Sequence, residues 1–407
     1  MPDLSPVSDP RKARRIYLDY HASTPCDPAV AALMRRLEAQ EFANPASAHA
    51  AGQRAARSIE AAREQVAEAM GALPEEIIFS SGATESNNIA ILGAAAAAQE
   101  RGELRRRIVT LPIEHPSVLA PCGHLAKRGY EIALCPVHRD GRLDIGALEE
   151  LVDETTLMVS IQAANNEIGT TQPLREVSEI AQKHGALLHS DAAQALGKLP
   201  LDIEALGCDL LSLSAHKCYG PKGIGALWLR GGPRGAPVAP LCFGGGHEHG
   251  LRPGTPNAAA IVGFGEAARL AAERQPGDAQ RLSALRDRFE ALLLGKLGGI
   301  TRNGALDNRL PGASSLTFEG VDADALIANL PEFDLSTASA CHSGTPEPSH
   351  VLRALGLTQA QAYSTLRIAL GRPTTDEEVE NSATRLAEAA NVLRQMAKQV
   401  FTEAGAA

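Results

Sequence analysis

The stretch "DLLSLSAHKCYGPKGIGALWLR", residues 209–230, decides how the chain is read. Two short apolar runs flank a turn of glycine, proline and lysine. Neither run alternates cleanly between apolar and polar residues, which is the pattern of strands covered on both faces. Lys217 closes the first run and opens the turn. A lysine at the end of a buried strand is partly desolvated, which lowers its pKa and favours the free amine that a Schiff base needs.

Working outward, runs of the same kind recur upstream as "EIIFSSG", "RIVTLP", "YEIALCPV", "TLMVSIQA" and "GALLHSD". With the two runs of the opening stretch they make seven candidate strands. Between them lie helical segments such as "ESNNIAILGAAAAAQERG" and "LREVSEIAQKHG", the second ending on Gly185 as a helix C-cap does. Apolar strands alternating with helices predict an α/β fold with a mainly parallel sheet flanked by helices. Downstream, residues 230–257 are too dense in glycine and proline to form one regular element. A long helical pattern follows over 258–297. Then "ASSLTFEG", "TLRIAL" and a closing helix over 375–400 predict a smaller α+β domain.

Composition fits a globular chain: 407 residues, 44% hydrophobic and 21% charged. The formal net charge of -9 argues against an extended nucleic-acid surface, which needs clustered Lys and Arg. No apolar run is long enough for a signal peptide or a bilayer span, so the expectation is a cytoplasmic protein with no membrane contact. The seven cysteines are odd in number and include no CxxC pair, which favours neither a disulfide framework nor a metal site. Cys122, Cys135, Cys208 and Cys218 read as small hydrophobes. Cys341 differs, because it lies in "STASACHSGTPEPS", residues 336–349, among small turn-forming residues.

Several polar residues stand at predicted strand ends, where open α/β sheets place ligand contacts. Asp191 ends "GALLHSD", and a carboxylate paired with a Schiff-base lysine is the protein half of a pyridoxal phosphate site. "FSSGATESNN" gives a strand, a glycine turn and a helix start at about Ala83 and Thr84, a ready anion site. Ser214 and His216 offer further donors beside Lys217. His115 follows another strand and is suited to stacking on an aromatic cofactor or moving a proton. Asn166 stands at a further strand end, while Asn165 and Glu167 read as local loop hydrogen bonders.

In order along the chain, "LDYHASTP", "NPASAHAAG", "SSGATESNN", "EHPSVL", "NNEIG", "SDAAQALGKLP", "SAHKCYGPKGIGAL", "GGGHEHGLRPGT", "SACHSG", "EPSHVLRALGL" and "STLRIALGRPTT" resemble the cysteine desulfurases of the NifS/IscS type. These form part of the class V aminotransferase branch of fold-type I pyridoxal phosphate enzymes, and the likeness runs from about residue 16 to 395. It implies a large cofactor domain over 27–270, with 1–26 and 271–407 forming a smaller domain that carries the Cys341 loop. It implies Lys217 as the Schiff-base lysine, Asp191 as the pyridinium partner and His115 as the ring-stacking group. Asn166 and Gln194 would contact the ring near its phenolic oxygen. Ala83, Thr84, Ser214 and His216 would hold the phosphate, joined by Thr255 from the other subunit of a homodimer. Arg367 would clamp the substrate carboxylate.

Cys341 then becomes the nucleophile that takes sulfur from L-cysteine as a persulfide and hands it to an acceptor protein, for iron–sulfur cluster assembly or for thiolation of tRNA or another target. His342 stands where Thr or Ser is common in the family, and "SACHSG" also resembles the selenocysteine lyases on the same scaffold. The long stretch between Cys341 and "EPSHVL" favours the cysteine reading. A catalytically idle binding partner is the reading from another class, and it leaves the full set of catalytic residues unexplained.

Overall fold

The computed structural model describes residues 15–233, 235, 237–337 and 348–404. Cys341 and His342 lie outside the described residues. In chain order the strands are β1 (Ile16–Tyr17), β2 (Ile77–Ser80), β3 (Arg107–Thr110), β4 (Glu131–Leu134), β5 (Thr156–Ser160), β6 (Leu187–Asp191), β7 (Leu210–Ser214) and β8 (Gly225–Leu229), then β9 (Ile300–Asn303), β10 (Ala313–Phe318), β11 (Phe333–Asp334), β12 (Ser336–Thr337) and β13 (Thr365–Ala369). The helices are α1 (Pro28–Gln40), α2 (Ala50–Glu68), α3 (Ala83–Glu100), α4 (Pro116–Ala126), α5 (Ile145–Leu151), α6 (Leu174–Lys183), α7 (Ile203–Leu206), α8 (Ala258–Lys296), α9 (Ala323–Ala328), α10 (His350–Ala354), α11 (Gln359–Tyr363) and α12 (Asp376–Ala404).

All seven strands read from the sequence form one sheet, in the order β2-β8-β7-β6-β5-β3-β4. The pairs from β7 to β4 are parallel, and β8 runs antiparallel to both of its neighbours. The sheet is therefore mainly parallel, and the carboxyl ends of β2, β3, β5, β6 and β7 share one edge. Residues alternate between two cores across it. Ile77 and Phe79 pack in one with α2, α6 and the first half of α8, whereas Ile78 packs in the other with α3 and α4. Both faces are thus covered, which is why the strands read as nearly continuous apolar runs. β4 is the exception: it lies at the sheet edge, and Glu131 and Leu134 are exposed.

A second sheet, β12-β13-β10-β9, packs with α12, the second half of α8 and the N-terminal Ile16 and Leu18 around a separate apolar cluster. β1 pairs in parallel with β11, Ile16 opposite Phe333, which carries the start of the chain to its C-terminal part. The single helix α8 serves both cores, with Ala260–Ala271 in the first cluster and Leu282–Leu293 in the second. The boundary expected after residue 270 falls inside this helix. α6 ends as the sequence indicates, with Gly185 just beyond its cap at φ +63°.

Candidate active site

The shared edge of the large sheet opens on a cavity of about 520 Å³. Its walls come from the residues that follow β2, β3, β5, β6 and β7, closed on one side by the segment 21–23 and by Arg367 of β13. Such a crevice at the carboxyl ends of parallel strands is where this architecture binds small molecules. Ten of the twelve residues singled out in the sequence line it: Ala83, Thr84, His115, Asn166, Asp191, Gln194, Ser214, His216, Lys217 and Arg367. Thr255 is exposed and is not among the lining residues.

Lys217 ends a tight 3-10 turn that follows β7 directly. Its Nζ donates to the carbonyl oxygens of His21 at 2.5 Å and Ala22 at 2.9 Å. The amine is held by uncharged acceptors from a segment nearly 200 residues earlier in the chain. Asp191, at the end of β6, is fixed at both oxygens. Oδ2 accepts from Asn87 Nδ2 at 2.7 Å, and Oδ1 from the backbone N–H of Ala193 at 3.0 Å. Both donors are neutral, so no cation beside the carboxylate takes up its charge through these bonds.

The helix α3 begins without a side-chain cap. Its N-cap, Gly82, has φ 146° and ψ 176°, a backbone region that only glycine enters freely. The first turn therefore points free N–H groups of Ala83 and Thr84 at the cavity, with the positive end of an 18-residue helix behind them. Ser214 stands close by, its Oγ 3.7 Å from where a Cβ on Gly82 would lie.

The cavity imidazoles are held neutral. His115 caps α4, its Nδ1 accepting from the Ser117 N–H at 3.1 Å, which leaves the proton on Nε2. Burial holds its pKa below the usual histidine value, with Asp191 pulling the other way. Burial and then the charge of Lys217 hold His216 down to about 4. His21, 2% exposed, is pushed well down by burial and then by Lys198, Arg367 and Lys217.

Arg367 is 2% exposed and lies on β13 opposite Ser336 of β12. Its Nη2 donates to Asp19 Oδ1 at 2.8 Å, while Nε is buried with no hydrogen-bond partner among the described residues. An arginine held from one side keeps donors whose planar fork suits a carboxylate.

The sequence reading missed His21, Asn87, Gly82 and Lys222 at this site, and Asp19 behind it. The signals were within quoted motifs, "LDYHASTP", "SSGATESNN" and "PKGIG", but no strand-end argument reaches the segment 19–23, because tertiary packing alone brings it to the sheet edge. Glu167 also departs from expectation. Asn165 does make local loop bonds, accepting from the N–H groups of Glu167 and Ile168. Glu167 donates its N–H within that loop, but its carboxylate accepts from Ser349 Oγ at 2.5 Å, 182 residues away. Cys218 is buried at 3% exposure, as packing requires.

The fold and the cavity define an α/β protein with a lysine, a carboxylate and an open helix N-terminus at one sheet edge. The chain belongs to the aminotransferase class-V family, which it matches over residues 16–381. It is 45% identical over 382 residues to a protein of Anaeromyxobacter sp. (strain Fw109-5) named cysteine desulfurase IscS, covering 94% of each chain. A solved structure titled NifS-like protein superposes with a TM-score of 0.85 at 37% identity, covering 92% of this chain and 98% of the other. Another, titled SspA in complex with cysteine, gives a TM-score of 0.77 at 39% identity, covering 87% of this chain and 98% of that one.

Proposed function

We propose that this protein is a pyridoxal phosphate-dependent cysteine desulfurase, which converts L-cysteine to L-alanine and takes up the sulfur on Cys341. The observation that carries the reading is the convergence of Lys217, Asp191 and the uncapped start of α3 on one cavity of about 520 Å³. Relatives named cysteine desulfurase, at 45% and 44% identity, support it.

The residues suit pyridoxal phosphate on chemical grounds. Lys217 supplies an amine held by two carbonyls, Asp191 a carboxylate for the ring nitrogen, and Ala83, Thr84, Ser214 and His216 supply donors for a phosphate. When bound, this cofactor provides an electron sink that makes the α-proton of an amino acid removable. Lys217 would hold the cofactor covalently and, once released by the substrate amine, take that α-proton. His115 would lie on the ring face, and Asn166 and Gln194 near the phenolic oxygen. Thr255, exposed on this chain, would complete the phosphate site of a partner copy in a homodimer.

Arg367 would bind the substrate carboxylate through the donor atoms that Asp19 leaves free, which fixes the side chain of L-cysteine relative to Lys217. The Cys341 thiolate then attacks the substrate sulfur. An S–S bond forms, the Cβ–S bond breaks, and its electron pair returns to the carbon skeleton, which leaves as alanine after protonation. The persulfide passes its outer sulfur to a thiol on an acceptor protein. The six described cysteines are unpaired, which suits a reducing compartment, and we read the setting as cytoplasmic. No helix among the described residues is long and apolar enough to cross a membrane.

The test is incubation of the cofactor-loaded protein with L-cysteine and a reducing thiol. Alanine and sulfide are expected in equal amounts, and Cys341→Ser is expected to release neither. Sulfide release undiminished in Cys341→Ser would overturn the nucleophile assignment.

A further inference from the structure

Lys198 is a half-buried lysine behind this site, lining a small neighbouring cavity, and nothing in the reaction above uses it. It stands on the turn after β6, one helical step beyond Gln194, and its Nζ donates to Gln194 Oε1 at 2.5 Å. Gln194 is 4% exposed and lines the cavity, and its Nε2 donates to the carbonyl oxygen of His21 at 2.9 Å. That same oxygen accepts from Lys217 Nζ. The chain of contacts runs from Lys198 through Gln194 to His21, and returns to Lys217.

An amide has one acceptor end and one donor end that differ little in shape. With Lys198 on the oxygen and the His21 carbonyl on the nitrogen, the amide is fixed at both ends, and its second N–H is left for the cavity. We propose that Lys198 is a positioning residue, which fixes Gln194 so that its amide N–H faces the bound cofactor beside Lys217. The proposal rests on the pyridoxal phosphate reading of the cavity.

The surroundings fit a lysine placed for its contact rather than for solvent. Burial, followed by the like charge of Lys217, brings the Lys198 amine down to about 7. Lys217, Cys218 and His216 face it from the turn after β7, and His21 from the N-terminal segment. Asp278 of α8 and Tyr219 share a small secondary cavity with it. No carboxylate is paired with Lys198 in an ion pair among the described residues, so the glutamine is its recorded hydrogen-bond acceptor.

The experiment is a double-mutant cycle on the cofactor-loaded protein, with Lys198→Met, Gln194→Ala and the two combined. The readout is the pH midpoint of the visible absorption band of bound pyridoxal phosphate, with thermal unfolding measured beside it. Lys198→Gln is made in parallel against loss of folding in the methionine variant. Each single change is expected to move the midpoint by about half a pH unit or more. The combined variant is expected to move it no further than Gln194→Ala alone, because Lys198 acts through Gln194. A midpoint unmoved in both Lys198 variants, or a shift that adds to that of Gln194→Ala, would overturn the proposal while leaving the site reading intact. A wild-type protein that shows no visible band with pyridoxal phosphate would overturn both.

Discussion

Arg367 and Asp19, 348 residues apart in the chain, form an ion pair at 2.8 Å on the wall of the cavity. The other oxygen of Asp19 accepts from Ser336 Oγ at 2.7 Å, so the carboxylate also secures the strand that leads towards residue 341. The pair engages Nη2 and leaves the other guanidinium donors for the substrate carboxylate proposed above. Arg367→Lys keeps the charge and loses the planar fork. It is expected to raise KM for L-cysteine by about 30-fold, corresponding to about 2 kcal/mol for a lost charge-assisted bond, with a smaller change in kcat. Asp19→Asn is expected to raise KM by about fivefold, since the contact survives without its charge. Steady-state kinetics of both variants checks this, and an unchanged KM in Arg367→Lys would contradict it.

Gly82 permits the turn that exposes the start of α3. An alanine there is forced into backbone space that costs about 1–3 kcal/mol, and the turn relaxes by moving the N–H groups of Ala83 and Thr84. Gly82→Ala is expected to bind pyridoxal phosphate about tenfold more weakly, measured by equilibrium dialysis. Affinity equal to wild type would show that those N–H groups do not hold the phosphate.

Burial raises the Glu167 carboxyl from 4.5 to about 7, against the lowering effects of Ser349 and Arg367. Between these values the folded protein keeps a proton that the unfolded chain has released. Stability is therefore lost as pH rises from about 4.5 to about 7, by up to about 3 kcal/mol. Glu167→Gln keeps an acceptor for Ser349 and cannot ionise. It is expected to melt near the wild-type temperature at pH 5 and above it at pH 8, read by calorimetry.

His189 carries the opposite sign. It is fully buried between Ser160 Oγ at 2.8 Å and Ser212 Oγ at 3.0 Å, and burial holds it down to about 4 from 6.5. Below 6.5 the unfolded chain takes up a proton that the folded protein refuses. Its contribution is therefore present above that pH and is lost as pH falls towards about 4. His189→Asn is expected to be less stable at every pH and to show a shallower loss between pH 7 and 5 in urea titrations.

The central sheet was legible because its strands are buried on both faces, so each apolar run stands out between helical segments. The chemistry at their carboxyl ends followed, since Asp191 ends β6 and Lys217, His115 and Asn166 lie within a few residues of the ends of β7, β3 and β5. Edge strand β4 was read correctly in position but not in exposure, because its sequence carries no sign of lying last in the sheet. The contacts that hold the site in place were not legible in the same way. Asp19 with Arg367, His21 with Lys217, and Glu167 with Ser349 all join residues far apart in the chain. Short-range pattern encodes none of these distances. The buried pair of Arg63 and Glu248, 2.8 Å apart, is a further example. It anchors the glycine- and proline-rich segment to α2, and Glu248 also accepts from the N–H of Phe79 on β2 at 2.8 Å.

The most direct test of the account is to load the protein with pyridoxal phosphate, reduce it with borohydride and map the modified peptide by mass spectrometry. A single phosphopyridoxyl group is expected on Lys217. A group fixed on Lys198 or Lys222, or a protein that retains none, would contradict it.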